Sequence, residues 1–121
     1  EKQDESKATY VKILKKEDGK IDFNKPAINI HNMIRGLLPW PCAYCFLDGK
    51  MLKFFSSEPY EKIYNNSSPG QIVEIIKNSG FIVTCYNSSL LIKEVQLEGG
   101  KRMSAFDFAI GHKELAGKIL K

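Results

Sequence analysis

The chain has 121 residues, of which 43% are hydrophobic and 26% are charged, and this composition is typical of one globular domain. No run approaches the roughly 18 consecutive apolar residues that a membrane-spanning helix needs, and the polar start at residues 1–6 does not have the pattern of a signal peptide. We therefore expect a soluble cytoplasmic protein. Because it begins at Glu1 without an initiator methionine, we also expect a piece of a longer chain.

The net charge of +4 is unevenly distributed along the chain. Residues 7–25 carry six lysines against three acids, and residues 101–121 carry five basic against two acidic side chains. Residues 26–100 are balanced, with six of each sign. If the fold brings the two basic segments together, they form a face that attracts phosphate backbones without reading their sequence. A solvated lysine-rich surface is the alternative interpretation.

Residues 1–23 are predicted to form a basic interdomain linker, and residues 24–121 a folded domain. Asn24 is a favourable helix N-cap, and Pro26 is tolerated in the first turn of a helix. The apolar residues that follow recur at helical spacing and predict one helix, which ends near Gly36.

After this helix the apolar pattern changes to a period of two, which indicates β-strands. Five strands are predicted, at residues 43–47, 50–55, 71–76, 81–86 and 90–97, with a polar loop over residues 56–69. Asp48-Gly49, between the first two strands, predicts a hairpin turn. Ser104 and Asp107 form a capping box that begins a short second helix, and Gly111 ends it. Five short strands with a helix before and a helix after them predict a mainly β domain built as a small barrel. An open sheet covered by helices is the alternative.

The stretch "LLPWPCAYCF" contains a Cys42-x-x-Cys45 pair, the spacing of some redox and zinc sites. A thioredoxin-type site needs its first cysteine at a helix N-terminus, whereas here a helix precedes the pair and a strand follows it. Within a strand, the two thiols would point to opposite faces, and zinc would lack a second ligand pair at the required spacing. We predict three free packing thiols, no metal, and a core position for Trp40.

Catalytic signatures are missing from the sequence. His31 and His112 are not paired with a nucleophile by any sequence pattern, and there is no nucleophile elbow, P-loop or dinucleotide-binding loop. The run Gly99-Gly100-Lys101-Arg102 comes closest to a phosphate-binding element, and a charged turn is its structural alternative.

Four segments in order carry a more specific signal: "ATYVKILKKEDGKIDF", "IHNMIRGLLPWPCAY", "PGQIVEI" and "LLIKEVQLEGGKRMSAFDF". Together they resemble the C-terminal domain of methionyl-tRNA formyltransferases over residues 7–121. The resemblance implies an OB-like β-barrel that binds initiator methionyl-tRNA and positions it for N-formylation. It also implies that catalysis, and the co-substrate 10-formyltetrahydrofolate, belong to an N-terminal domain of the same chain that is not among these 121 residues. By the resemblance, this chain itself holds no cofactor, no metal and no catalytic residue, and the protein is a monomer without membrane contact.

The resemblance and the charge distribution together select candidate contacts to the tRNA backbone. These are Lys12, Lys15, Lys16 and Lys20 in the linker, with Arg35, Lys101 and Arg102 in the barrel. Arg35 could instead anchor the "RGLLPWP" turn. Aromatic side chains that could stack on bases are Phe54, Phe55, Tyr60 and Tyr64, with packing in the core or loops as the alternative. Because similar domains are appended to other formyl-transferring enzymes, a structural or interaction domain that contacts no nucleic acid is the alternative function.

Overall fold

The computed structural model describes residues 16–121, with the side chain of Lys16 outside that description. The helices are a 3-10 helix Lys16–Gly19, α1 Ala27–Gly36 and α2 Ala105–Ile110; the strands are β1 Ala43–Leu47, β2 Lys50–Tyr60, β3 Ile72–Ile76, β4 Gly80–Cys85, β5 Ser88–Leu97 and β6 Arg102–Ser104. They form one antiparallel sheet in the order β1-β2-β5-β4-β3, with β6 paired to β5. The predicted mainly β fold is confirmed. No helix in this described part is long and apolar enough to cross a membrane.

Two strands differ from the sequence prediction. β2 continues to Tyr60 through a segment predicted as polar loop, because its second half pairs with β5, as in the pairs Ser57 with Ile92 and Tyr60 with Ser89. β6 was not predicted, because it has only three residues and exists through its pairing with the end of β5. Both differences arise from pairing between distant segments, which local sequence patterns do not report.

The start of α1 also depends on a distant segment. Asn24, predicted as the N-cap, does not cap the helix. Its backbone N–H donates to the Asp22 carboxylate at 2.9 Å. Instead, the N–H of Ala27 at the start of the helix donates to the hydroxyl oxygen of Ser88, the first residue of β5, at 2.8 Å. Such a cap satisfies one of the backbone donors that every helix N-terminus leaves unpaired. α2, in contrast, begins as predicted, because the Ser104 hydroxyl accepts from Asp107 N at 3.1 Å.

The C-terminal residues lie between the two edge strands of the sheet. Phe46 of β1 exchanges two backbone hydrogen bonds of 3.0 Å with Lys121. On the other side, Ile72 N donates to Lys118 O at 2.8 Å, and Leu120 N donates to Gly70 O at 2.7 Å. The sheet is open in its strand order, but residues 118–121 satisfy backbone groups on both edges, which gives it a barrel-like shape.

The core lies inside this curved sheet and under α1 and α2. Phe54 and Phe81 meet at its centre, with ring centroids 6.3 Å apart. Ile21 and Phe23, from the segment predicted as linker, are buried in the same core. The polypeptide just before α1 is therefore fixed to the sheet, and this fixes the position of the basic residues next to it.

The C-terminal segment should contribute to stability through Leu120, whose exposed fraction is 3%. Leu120→Ala should lower the free energy of unfolding by about 2–5 kcal/mol, because truncating a buried leucine removes apolar contacts and leaves a cavity. Urea denaturation measures this change. Its matched control is Ile119→Ala, since the neighbouring Ile119 is 45% exposed and should change the unfolding free energy by less than about 0.5 kcal/mol. Equal losses for the two variants would contradict a docked C-terminal segment.

Candidate nucleic-acid interface

We call the turn after α1, residues 37–42, the Cys42 corner. Cys42 N donates to Leu37 O at 3.0 Å, and the Cys42 thiol donates to Pro39 O at 3.1 Å. Cys42 itself has a left-handed backbone, with φ of 73°. These bonds tie both ends of the turn together, and residues 38–40 therefore project from the surface. The prediction that Trp40 lies in the core is therefore wrong. In the structure, 58% of Trp40 is exposed.

Three segments that are distant in sequence meet at the Cys42 corner. The 3-10 helix reaches it at Gly19, where an added Cβ would lie 2.1 Å from the Cys42 carbonyl oxygen, so only glycine fits. α1 reaches it two residues after Arg35, through the bond to Leu37. Arg102 of β6 comes near it across the sheet. Ala43, the residue after Cys42, is opposite Phe54, and the next residue of β2, Phe55, carries the Arg102 guanidinium on its ring.

Lys20, from the first of these segments, lies beside the edge of β1 that faces away from β2. Its backbone pairs with Tyr44, and the next residue, Ile21, donates its N–H to Tyr44 O at 2.9 Å. The Lys20 ammonium group donates to Ile21 O at 3.3 Å and lies 5.9 Å from the centroid of the Phe46 ring. Lys20 is therefore an exposed cation held beside an aromatic side chain.

Arg102 is held by two neighbours on the outside of the sheet. Its Nε and Nη2 donate to the two carboxylate oxygens of Glu94 at 2.8 and 3.0 Å. The guanidinium also lies 4.3 Å from the centroid of the Phe55 ring. These hydrogen bonds lower the pKa of Glu94 and raise the pKa of Arg102 from their ordinary values. An arginine has five N–H donors, so Arg102 keeps three for another ligand while it stays paired.

Strand register places further polar side chains in the same row as Arg102. Tyr44 is opposite Lys53, Lys53 is opposite Gln96, and Gln96 is opposite Arg102. Directly opposed residues in an antiparallel sheet point to the same face, so the row crosses four strands on the outer face. Sequence reasoning missed Lys53 and Gln96. The period-two pattern within the predicted hairpin was a signal for Lys53, but Gln96 joins the row only through β-sheet register.

Of the remaining predicted cations, two have described side chains and three do not. Arg35 and Lys101 are exposed, and within residues 16–121 neither has an ion pair or a side-chain hydrogen bond. Arg35 therefore does not anchor the turn through a polar contact in this part of the chain. Lys12 and Lys15 lie outside the described residues, and of Lys16 only the backbone is described.

The four aromatic candidates separate into different environments. Phe54 is fully buried, so its ring belongs to the core. Tyr64 donates a hydrogen bond to Glu74 and has the Lys62 ammonium 4.7 Å from its ring centroid, which fixes it to the loop after β2. Tyr60 and Phe55 are half-buried at the surface, and Phe55 adjoins the candidate cation Arg102.

The thiols and histidines make structural contacts. All three cysteines are free and buried, and burial raises the pKa of Cys45 and brings that of Cys85 to about 12, so both stay protonated. Among the described residues, no group of three or more potential ligands could hold a metal ion. The structure does pair His31 with a hydroxyl, because His31 Nδ1 lies 2.9 Å from Ser57 Oγ. A nucleophile and its base need a third group that orients the base, and no such hydrogen bond to His31 exists within residues 16–121.

The Glu94–Arg102 pair should be visible in acid titration. Because the pKa of Glu94 is lower in the folded than in the unfolded protein, the pair stabilises the fold above the ordinary glutamate pKa. That contribution is lost as the pH falls through the lowered pKa. In Arg102→Gln, the Glu94 pKa, measured from its carboxyl ¹³C shift, should rise towards the ordinary value of 4.5. Lys93→Gln removes a neighbouring cation that pairs with Glu58 instead, and should move the Glu94 pKa much less. An unchanged Glu94 pKa in Arg102→Gln would contradict the pairing.

Comparison with solved structures shows where this fold occurs. HypX from Aquifex aeolicus, solved in complex with tetrahydrofolic acid, superposes with a TM-score of 0.67 at 11% sequence identity. The match covers 85% of this chain and 18% of that protein. At this identity the likeness concerns the fold alone.

Sequence relatives are more similar. The chain is 45% identical over 123 residues to the methionyl-tRNA formyltransferase of Lachnospira eligens, and 44% identical over 121 residues to that of Caldanaerobacter subterraneus subsp. tengcongensis. These matches cover 98% and 100% of this chain but only 39% and 38% of the relatives, so the chain spans less than two-fifths of their length. Residues 13–113 match the family described as "Formyl transferase, C-terminal domain". The chain belongs to the formyl transferase C-terminal domain family.

Proposed function

We propose that this chain is the tRNA-binding C-terminal domain of a methionyl-tRNA formyltransferase, and that it positions initiator methionyl-tRNA for formylation by an N-terminal catalytic domain. The observation that carries the proposal is the convergence of three segments, each with an exposed cation, around the Cys42 corner. Lys20, Arg35 and Arg102 come from parts of the chain separated by up to 82 positions of sequence numbering, roughly four-fifths of the described length. The names of the sequence relatives supply the substrate class.

Charge supports a polyanionic partner on this side of the domain. The basic excess of the sequence lies in residues 7–25 and 101–121. Lys20 follows Gly19, which touches the Cys42 carbonyl, and Arg102 lies over Phe55 of the neighbouring strand β2. Exposed lysine and arginine side chains bind phosphates through charge, with release of counterions, and they do not distinguish sequences. The domain would therefore supply affinity and orientation for the tRNA, while base recognition lies elsewhere.

The individual cations suit different parts of that task. Lys101 is a flexible point charge, whereas Arg102 presents a guanidinium whose direction is set by Glu94 and Phe55. The row formed by Lys53 and Gln96 continues the polar surface across the sheet. We infer a phosphate path that runs from the Cys42 corner across the outer face of the sheet.

Formyl transfer itself is assigned to the missing domain. We propose 10-formyltetrahydrofolate as a co-substrate held by the catalytic domain of a cytoplasmic, monomeric enzyme. The contribution of this chain is positional, because holding two reactants in a productive arrangement lowers the entropic part of the barrier.

The proposal predicts salt-dependent binding of tRNA to the 121-residue chain. The logarithm of the affinity for initiator tRNA should fall linearly with the logarithm of salt concentration, and an elongator tRNA should bind about equally well. In Lys101→Ala, the magnitude of the slope should fall by about one, because one phosphate contact is lost. Fluorescence anisotropy of end-labelled tRNA over a series of salt concentrations measures both quantities.

Lys77→Ala is the matched control. It removes an equally exposed lysine from the turn between β3 and β4, outside the three segments that meet at the Cys42 corner. Its slope should equal that of the unsubstituted chain. Equal slopes for all three proteins would remove Lys101 from the interface. No affinity for any tRNA at low salt would overturn the proposed function and favour a structural or interaction domain of another formyl-transferring enzyme.

A further inference from the structure

Trp40 occupies an unusual position for its residue type. It is the single tryptophan of the chain, and 58% of its surface is exposed. Tryptophan is highly buried on average, because its large apolar ring gains more from burial than other side chains do. The folding of this domain uses less than half of that gain, so the exposed part of the indole requires another explanation.

The backbone around Trp40 is held in place before any partner arrives. The turn is closed by the hydrogen bonds of Cys42 to Leu37 O and Pro39 O. Trp40 lies between two prolines, each of which fixes its own φ and restricts the residue before it. An indole on such a turn loses little conformational entropy when a partner immobilises it, and this favours binding.

The charge around the turn indicates which partner the indole suits. Arg35 lies in the last turn of α1 directly before this turn, and the 3-10 helix, followed by Lys20, contacts its end at Cys42. Arg102 lies over Phe55, the residue that follows the β2 partner of Ala43, so it is near the end of this turn. An apolar protein surface would have to cover these cations, at a cost in desolvation. A nucleotide provides a phosphate for the cations and a flat base for the ring.

We propose that Trp40 is a stacking site for an unpaired base of the bound RNA, an inference that rests on the tRNA-binding function proposed above. Aromatic side chains stack on bases of any sequence, because every base has a π-face. Bases in a duplex are already stacked on each other, so the site selects an unpaired nucleotide. The cations would then hold the phosphate path, and Trp40 would fix the position of the RNA along it.

Because Trp40 is the single tryptophan, its intrinsic fluorescence reports on this site alone. Titration of the 121-residue chain with initiator tRNA should quench the fluorescence with the same dissociation constant as anisotropy of labelled tRNA. A blunt-ended RNA duplex of matched charge should bind at low salt without comparable quenching. Equal quenching by the blunt duplex, or tRNA binding without any quenching, would overturn the inference.

Substitutions separate stacking from general apolar contact. Trp40→Ala should weaken tRNA binding roughly 5- to 150-fold, the effect of losing one stacked base, and should leave the salt slope unchanged because no charge is removed. Trp40→Phe should retain part of the affinity, whereas Trp40→Leu should lose as much as Trp40→Ala. Tyr86→Leu is the control, because Tyr86 is an aromatic residue of similar exposure, 54%, on the turn between β4 and β5. It should bind tRNA like the unsubstituted chain.

The outcomes also distinguish this inference from the proposed function. If the unsubstituted chain binds tRNA and Trp40→Ala binds equally well, the stacking site is overturned and tRNA binding stands; the indole would then be free to meet a protein partner. If the unsubstituted chain does not bind tRNA, both are overturned. Far-UV circular dichroism of each variant verifies that the fold is intact, and the quenching measurement needs no variant.

Discussion

The arrangement of the candidate interface depends on the close approach of Gly19 to the carbonyl group of Cys42. An added Cβ at position 19 would lie 2.1 Å from that oxygen, far inside van der Waals contact, so any other residue would push the 3-10 helix away from the sheet. The next residues then pair with Tyr44 and enter the core at Ile21. Cys42 also donates its N–H to Leu37 O at the end of α1. Cys42 therefore sets the position of Lys20, from the basic N-terminal segment, relative to Arg35 at the end of α1, and both charges lie on one side of the domain.

Features that depend on neighbouring residues could be predicted from the sequence. Asp48-Gly49 predicted a hairpin, and both residues have the positive φ, 51° and 84°, that tight hairpin turns require. The capping of α2 by Ser104 was likewise local. Features that depend on distant pairing could not be predicted. The cap of α1 comes from Ser88, 61 residues further along the chain, and the second half of β2 is a strand because β5 lies beside it.

The candidate site likewise has features that could be predicted from the sequence and features that could not. The concentration of basic residues in two segments is visible in the sequence, and so was the general idea of a basic face. The partners of each cation were not visible, because Glu94 and Phe55 reach Arg102 only through the register of β2, β5 and β6. Trp40 was predicted to be buried from its residue type alone. Trp40 is exposed because Cys42 closes the turn by a hydrogen bond to Leu37, and the residues between them project outwards.

The pairing of Arg102 with Glu94 limits how this surface can attract a phosphate. An ion pair exposed to solvent contributes little to stability, so stability alone is a weak reason for it. Its larger consequence is orientation, since a free arginine side chain has about 2 kcal/mol of rotamer entropy to lose when it binds a ligand. With Glu94 and Phe55 holding the guanidinium, much of that loss occurs on folding, and three N–H donors remain for a phosphate. The carboxylate also weakens the long-range attraction of Arg102. Exposed cations that have no carboxylate partner within residues 16–121, such as Lys101 and Arg35, would therefore provide more of the attraction at a distance. In the proposed complex, attraction and orientation would therefore come from different side chains.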